Sequence, residues 1–529
     1  MLHKQKLLIR IFAGLLALLL LLSAVPAIFA GQVDFDRTAA FLANNVGEPT
    51  AGDTHSDWGV FAMVRAGVRV PNGYYAAYLT RVEKLLRQTG GKLPGATSNN
   101  LRLAMALTAL GQDLSNIGGS NLMALVKDTA FVSRTAVMGP AFALILLNST
   151  GGDRACEQAY LRHLLDKQLS DGGWDLSSRT ADPDATAMVL QALSLYRKEA
   201  GVESAIQKGV ACLSKLQKSH GGFTAWNATT SESISQTIIA LCMLDIPLND
   251  SRFVKNGNDL LSALLTYRLA NGSFCHVKGD GYDAMATQQA MLALDALRRE
   301  SVGLPGIYEI SDKIKINRNF VGLPGKDKAI SVPAVTNPSV TFSDISNCPQ
   351  KEAILALARR GILNGMDAKK KTFEPNGSLT RAQFCAMTVR GLSLPAAGNY
   401  GFSDVKASDW YYAAVNSAAA FGAVNGVGSN KFAPDQTITR QEAATLIARL
   451  AKKCGLTVQY DTAAARNVLA QFSDYRTCAD WALEGLAFCY DRGLLDDSAL
   501  NIRPTQPITR AETAQMFLSL LDLALLLEG

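Results

Sequence analysis

The chain has 529 residues, 48% of them hydrophobic and 19% charged, with 52 Lys and Arg against 46 Asp and Glu. That length suits roughly two to four domains, each large enough for its own core. The near balance of charge gives no support for a nucleic-acid partner, which usually shows as a strongly basic face, so none is expected.

Residues 1–30 have the form of an export signal. Lys4, Lys6 and Arg10 give a basic start, 11–22 is apolar and uncharged, and Pro26 and Ala30 supply a break and a cleavage point before Gly31. The apolar run is short for a membrane span, so removal is expected, with retention as an anchor the alternative. Removing three cations leaves 49 Lys and Arg against 46 Asp and Glu, a formal charge of +3. No later stretch is apolar and long enough to cross a bilayer. The nine cysteines are scattered without a Cys-x-x-Cys pair. Buried small hydrophobes are expected rather than a disulfide framework.

From 31 to 300 the chain reads as helices. The segments 101–110, 135–147, 185–195, 234–244 and 284–297 are rich in Ala, Leu and Met with little β-branched alternation. Polar turns with Gly pairs separate them, giving about six helix pairs, the more apolar helix of each lining the inside of a ring. A phrase recurs in the turns: Gln168…Gly172-Gly173-Trp174, Gln217…Gly221-Gly222-Phe223 and, more faintly, Arg268…Gly272-Ser273-Phe274. The glycines allow a tight reversal and the aromatic packs beneath it. From 301 to 340, Pro305, Pro324, Pro333 and Pro338 with several glycines predict a linker.

A second phrase fills the rest. Phe342-Ser343-Asp344, Phe402-Ser403-Asp404 and Phe472-Ser473-Asp474 are each followed by a Gly (Gly361, Gly422, Gly493). Then come Pro375, Pro434 and Pro504, each six residues before an Arg: Arg381, Arg440 and Arg510. Repetition at 60–70 residues marks an array of one helix–loop–helix unit, at 341–397, 398–460 and 468–529. Thr380…Gln383, Thr439…Glu442 and Thr509…Glu512 predict capping boxes at the second helix of each copy.

These phrases resemble three S-layer homology (SLH) repeats. The resemblance implies a pseudo-threefold helical assembly that binds pyruvylated secondary cell-wall polysaccharide of a Gram-positive wall, holding the attached domain there non-covalently. A carboxylate on the glycan suits an Arg in the first turn of a helix, beside free N–H groups and the positive dipole end. The expected wall-glycan residues are Arg440, Arg510, Arg381, Asp404, Asp474, Trp410 and Trp481. Copy one has Cys348-Pro349 where the others have Asp-Trp, and Gln383 for Glu, so Arg381 ranks last.

The 31–300 region resembles the α/α-toroid superfamily of terpenoid cyclases and prenyltransferases, which implies the fold and little about function. Gln168, Trp174, Gln217 and Phe223 read as ties between successive helix pairs. Asp182-Pro183-Asp184 lacks the last carboxylate of the cyclase Asp-x-Asp-Asp sequence and suits a helix cap instead. Cys156 and Gln158 stand too close for a thioester. Cys275-His276 with Asp280 and Asp283 has metal-ligand atom types without paired spacing. No metal, cofactor or catalytic set is expected. Asp57, Trp58, Asp184, Glu232, Tyr282 and Asp283 lie near the starts of the inner helices, as funnel-mouth residues or as caps and core aromatics.

The expectation is an all-α protein, an α/α toroid followed by an SLH array, secreted and held at the cell wall. Its toroid binds an unknown ligand or partner without catalysis. The alternative is a wall-tethered glycoside hydrolase or lyase with its active site in the funnel.

Overall fold

The computed structural model describes residues 31–527 apart from 178, 226, 227, 368, 497 and 498. The expected export signal at 1–30 lies outside the described residues. The chain divides into two units: residues up to 46, 50–70 and 81–316 form one, and 47–49, 71–80 and 317 onward the other. Among the described residues the only strands are Thr224–Ala225 and Ala228–Thr229, and no helix is long and apolar enough to cross a membrane. All nine cysteines are unpaired, and six of them are buried.

In the first unit, six helices pack each on the next: Thr54–Ala66, Thr97–Ala109, Met138–Thr150, Pro183–Ser194, Ser231–Met243 and Ala284–Val302. The last packs back on the first, so the ring is closed. These helices are buried on most of their faces, polar residues such as Ser233 and Gln236 included, as befits an enclosed position. Leu101, Leu103, Met105 and Leu107 on one of them have no exposed surface. Outer helices Gln32–Asn44, Arg154–Asp166, Val202–Leu216 and Leu260–Leu265 each back an inner one.

The recurring phrase joins neighbouring pairs. Gln168 Nε2 donates to the carbonyls of Gly172 and Ala205, both at 2.8 Å. Gln217 Nε2 does the same to Gly221 and Phe253 at 2.9 Å. Trp174 is fully buried, and its indole N–H donates to Leu164 O at 2.7 Å. The third phrase meets the outer helix Gln32–Asn44. Thr38 Oγ1 donates to Gly272 O at 2.9 Å, and Arg268 pairs with Asp34. Gly172 and Gly272 both have φ of 92°. A Cβ there would stand 2.6 and 2.7 Å from the carbonyl oxygens of Lys208 and Arg37, so only glycine fits.

The stretch from 301 to 340, expected as a linker, carries buried anchors on both sides of the boundary at 316. Ile307, Tyr308 and Ile310 are buried in the ring unit, and Tyr308 stacks on Phe61 at 5.7 Å. Arg65 donates to the carbonyls of Gly306 and Ile307 and pairs with Asp312. Arg299 bonds Pro305 O, Asp312 and the carbonyl of Arg65. Further on, Leu323 and Ile330 are buried in the second unit, with Asp327 N on Lys453 O and Ser331 N on Leu392 O. Buried apolar anchors and satisfied backbone groups order this segment despite its prolines.

In the second unit the repeats interlock. The second helix of each copy packs on the first helix of the next: Arg381–Gly391 on Tyr412–Ala420, Arg440–Lys453 on Leu483–Asp491, and Arg510–Leu523 on Lys351–Arg359. At the centre, Ile438 N donates to Leu379 O, Ile508 N to Ile438 O, and Leu379 N to Ile508 O. Three hydrogen bonds thus close a pseudo-threefold. All three predicted capping boxes form, with the Thr hydroxyl and the Gln383, Glu442 or Glu512 side chain bonding reciprocally to the backbone.

Candidate functional site

The repeated Phe-Ser-Asp triplet shapes the loop before each Pro. Asp404 accepts from Phe432 N and Ala433 N, both at 2.8 Å, and Asp474 from Ile502 N (2.7 Å) and Arg503 N (2.8 Å). Asp344 does the same to Phe373 and Glu374. Glu374, Ala433 and Arg503 adopt φ of 60°, 56° and 54°, a region non-glycine residues rarely occupy. The carboxylate holds that turn. Asp404 and Asp474, expected on the glycan, instead spend their oxygens on backbone, because the loop cannot satisfy those N–H groups itself.

The repeated Arg reaches from each copy into the loop of the next. Arg381, Arg440 and Arg510 are only 7%, 4% and 6% exposed. Arg381 Nε donates to Phe432 O (2.8 Å) and Nη2 to Asn425 O (2.7 Å), with the guanidinium 4.6 Å from the Phe432 ring. Arg510 repeats this on Phe373 O (2.9 Å), Asn364 O (3.0 Å) and the Phe373 ring (4.5 Å). Arg440 Nε donates to Ile502 O at 2.7 Å, while its Nη1 pairs with Glu512 and its Nη2 reaches Tyr490 Oη at 3.4 Å. The Nη1 groups of Arg381 and Arg510 have no hydrogen-bond partner among the described residues.

Arg381 forms the floor of a cavity of about 450 Å³, whose other walls include Asn425, Glu442, Arg449 and Trp481. Burial holds the Arg381 guanidinium below its ordinary pKa; the Arg449 cation pushes the same way and Glu442 opposes. Two like charges thus face one space, an arrangement that an anion relieves. Trp481 and its counterpart Trp410 are 59% and 66% exposed, flat apolar faces available to a sugar ring. Arg449 went unread in the sequence because its spacing from Arg440 places it along the helix, two turns from the repeated motif.

In the ring, the six funnel candidates separate. Asp57 is fully buried, accepting from Gly52 N and lying 3.7 Å from Arg102 Nε, and Trp58 is buried with its edges against Phe61 and Phe142. Both belong to the core. Asp283 caps its helix at Ala286 N (2.8 Å), and Tyr282 is exposed with its ring 5.2 Å from Phe41. Glu232 and Asp184 remain, with His276 bonded to Glu232. Glu232 Oε1 is 2.8 Å from His276 Nδ1, and Ser231 Oγ donates to its other oxygen. This partner raises the His276 pKa. Burial pushes Asp184 up to about 7, with Asp182 and Glu232 adding to the rise. The arrangement can hold a proton on Asp184 and orient an imidazole; among the described residues no His, Cys, Asp and Glu group is placed to bind a metal.

The S-layer homology domain family matches residues 341–385, 401–444 and 471–514. Exoglucanase XynX of Acetivibrio thermocellus is 35% identical over 190 residues, 36% of this chain and 17% of that protein. Amylopullulanase of Thermoanaerobacterium thermosulfurigenes is 35% identical over 185 residues, 34% of this chain and 10% of that one. The surface-layer 125 kDa protein of Lysinibacillus sphaericus is 32% identical over 171 residues, 32% of this chain and 14% of that one. The chain thus spans less than a fifth of these relatives. Among solved structures, the type II terpene cyclase MstE from Scytonema gives a TM-score of 0.34 at 13% identity, covering 50% of this chain and 97% of that one. The ring itself rests on its own closed circuit of helices. The C-terminal part of the chain carries three S-layer homology domains, and the protein is a secreted one associated with the cell wall or cell surface.

Proposed function

We propose that the three SLH repeats hold this protein non-covalently to pyruvylated secondary cell-wall polysaccharide, and that the ring is displayed there as a non-catalytic module for a ligand or partner. The supporting observation is the Arg381 cavity, where a buried guanidinium with a free Nη1, a second cation and an exposed indole face one space. A ketal pyruvate offers the carboxylate for the guanidinium, and its sugar offers a face for the Trp. Relatives as unlike as an exoglucanase and a surface-layer protein align with about a third of this chain. A shared anchor accounts for that.

Binding of the full chain to purified Gram-positive wall fragments tests the reading. Wall treated with mild acid, which hydrolyses the ketal, is expected to lose most of its capacity; equal binding before and after would overturn the pyruvate assignment. A second reading, a glycan-cleaving ring, draws on the Asp184–Glu232–His276 cluster. Release of reducing or unsaturated ends from a wall and plant glycan panel, abolished by Glu232→Gln, would establish it over the binding module.

A further inference from the structure

Each anion groove of the array is assembled from three copies. The Arg381 groove takes its Arg from copy one, its loop (Asn425) and helix (Glu442, Arg449) from copy two, and its Trp481 from copy three. Applying the pseudo-threefold gives the composition of the other two. The Arg510 groove combines Asn364, Gln383 and Arg390 of copy one with Trp410 of copy two. Arg510 Nη2 bonds Asn364 O at 3.0 Å, and Arg390 Nη1 lies 2.8 Å from the Asn364 amide oriented to accept. Two guanidinium groups again lie beside one Asn, one on its carbonyl and one near its side chain, with Glu374 as the nearby acid.

The Arg440 groove differs at three of these positions. Its loop carries Asp496-Asp497 where the others have Asn-Gly, its helix has Ser519 where they have Arg, and Pro349 stands in place of Trp. Glu512 pairs with Arg440 Nη1, so each side-chain nitrogen of that Arg is engaged. Summed over these positions, Arg381 and Arg449 against Glu442 give +1, and Arg510 and Arg390 against Glu374 give +1. Among the described residues, Arg440 and Arg503 against Glu512 and Asp496 give 0. A groove with no net positive charge, no free nitrogen on its closing Arg and no Trp face gives an acidic sugar less to bind than the other two.

We propose that the array has two working grooves, those of Arg381 and Arg510, with Arg449 and Arg390 as their second cations, and that the Arg440 groove is closed by Glu512. This rests on the reading of the array as an acidic-glycan anchor. It reverses the ranking by sequence, because the departures of copy one fall in grooves other than that of Arg381. Pro349 lands in the Arg440 groove and Gln383 in the Arg510 groove, where losing an acid helps an anion.

The test is calorimetric titration of the full chain with a methyl hexoside carrying a 4,6-linked pyruvate ketal, alongside binding to wall fragments. Two sites per chain are expected. Arg449→Ala should weaken one site and Arg390→Ala the other, each by about tenfold or more, the loss of one charge-assisted hydrogen bond. Ser519→Ala should change nothing. Neither Arg449 nor Arg390 is among the buried closing arginines, and matched thermal unfolding would verify that the variants fold. Three equal sites, or unchanged affinity in both folded Arg variants, would overturn the inequality and leave the anchor standing. Wall binding without any site for the ketal glycoside would also overturn it. Failure to bind either wall or glycoside would remove the anchor reading together with this one.

Discussion

The ring and the array solve the same problem with different side chains. In the ring, Gln168 and Gln217 reach forward to a backbone carbonyl of the next unit, Ala205 and Phe253 respectively. In the array, Arg381, Arg440 and Arg510 do so to Phe432, Ile502 and Phe373. A neutral amide has no N–H donor left over after that task. A guanidinium has five N–H donors, so it can close the assembly and still present one nitrogen to a cavity. Recurrence in both regions therefore marks closure first. On the proposed reading, binding capacity is added by residues that do not recur in every copy, such as Arg449 and Trp481, and in the ring the corresponding candidates are Asp184, Glu232 and His276.

The strongest way to break this view of the ring is Trp174→Ala. The indole is fully buried and bonded to Leu164 O at 2.7 Å. Its loss should cost about 3–5 kcal/mol, read as a drop in the ring's calorimetric transition. A drop confined to a few tenths would mean that the phrase does not join the helix pairs.

A second test sharpens the contrast between recurring and non-recurring residues through pH. The folded-state pKa of Asp184 is raised by burial from 3.8 to about 7, so the native state holds the proton more tightly than the unfolded chain. The sign follows: its contribution to stability is full below about pH 4 and is lost as pH rises through about 7, on the order of 2–4 kcal/mol. His276, also raised by Glu232, acts in the same direction at higher pH. Asp184→Asn should flatten the fall in thermal midpoint between pH 4 and 7. An unchanged slope would place the titrating group elsewhere.

Arg440→Ala comes next, and it carries the claim of closure for the array. Removing a buried guanidinium leaves Ile502 O and Glu512 without their partner, at a cost of roughly 2–3 kcal/mol. The stability loss should appear without any change in binding of the ketal glycoside to the other two grooves, as long as the array stays folded. Weakened glycoside binding at unchanged stability would invert the assignment, making this Arg a ligand residue.

Much of the fold was legible because its signals are local. Inner helices such as Thr97–Ala109 carry an unbroken Ala, Leu and Met stretch from 103 to 107, and the capping boxes need only four residues of context. What escaped is non-local. Ile307, Tyr308 and Ile310 are too few to show a period, and their burial depends on Phe61 and Arg65 some 240 positions away. The burial of the three repeated arginines was hidden for the same reason, since their carbonyl partners lie in another copy. Asp57 and Trp58 resembled mouth residues only because helix starts and core layers share a sequence position.

The smallest expected effect separates the cap from the closure at the same helix end. Thr439 Oγ1 accepts from Glu442 N, while Glu442 returns a carboxylate oxygen to Thr439 N at 2.8 Å. The bond satisfies a helix N–H that has no partner within the helix, so Thr439→Ala should lower array stability by about 1 kcal/mol. Thr509→Ala should match it, since its box is the same. Neither change touches the carbonyls held by Arg440 and Arg510, so wall binding should persist in the folded variants. If Thr439→Ala costs as much as Arg440→Ala, the cap and the Arg act as one unit. The guanidinium bond to Ile502 O would then depend on the first turn being in place.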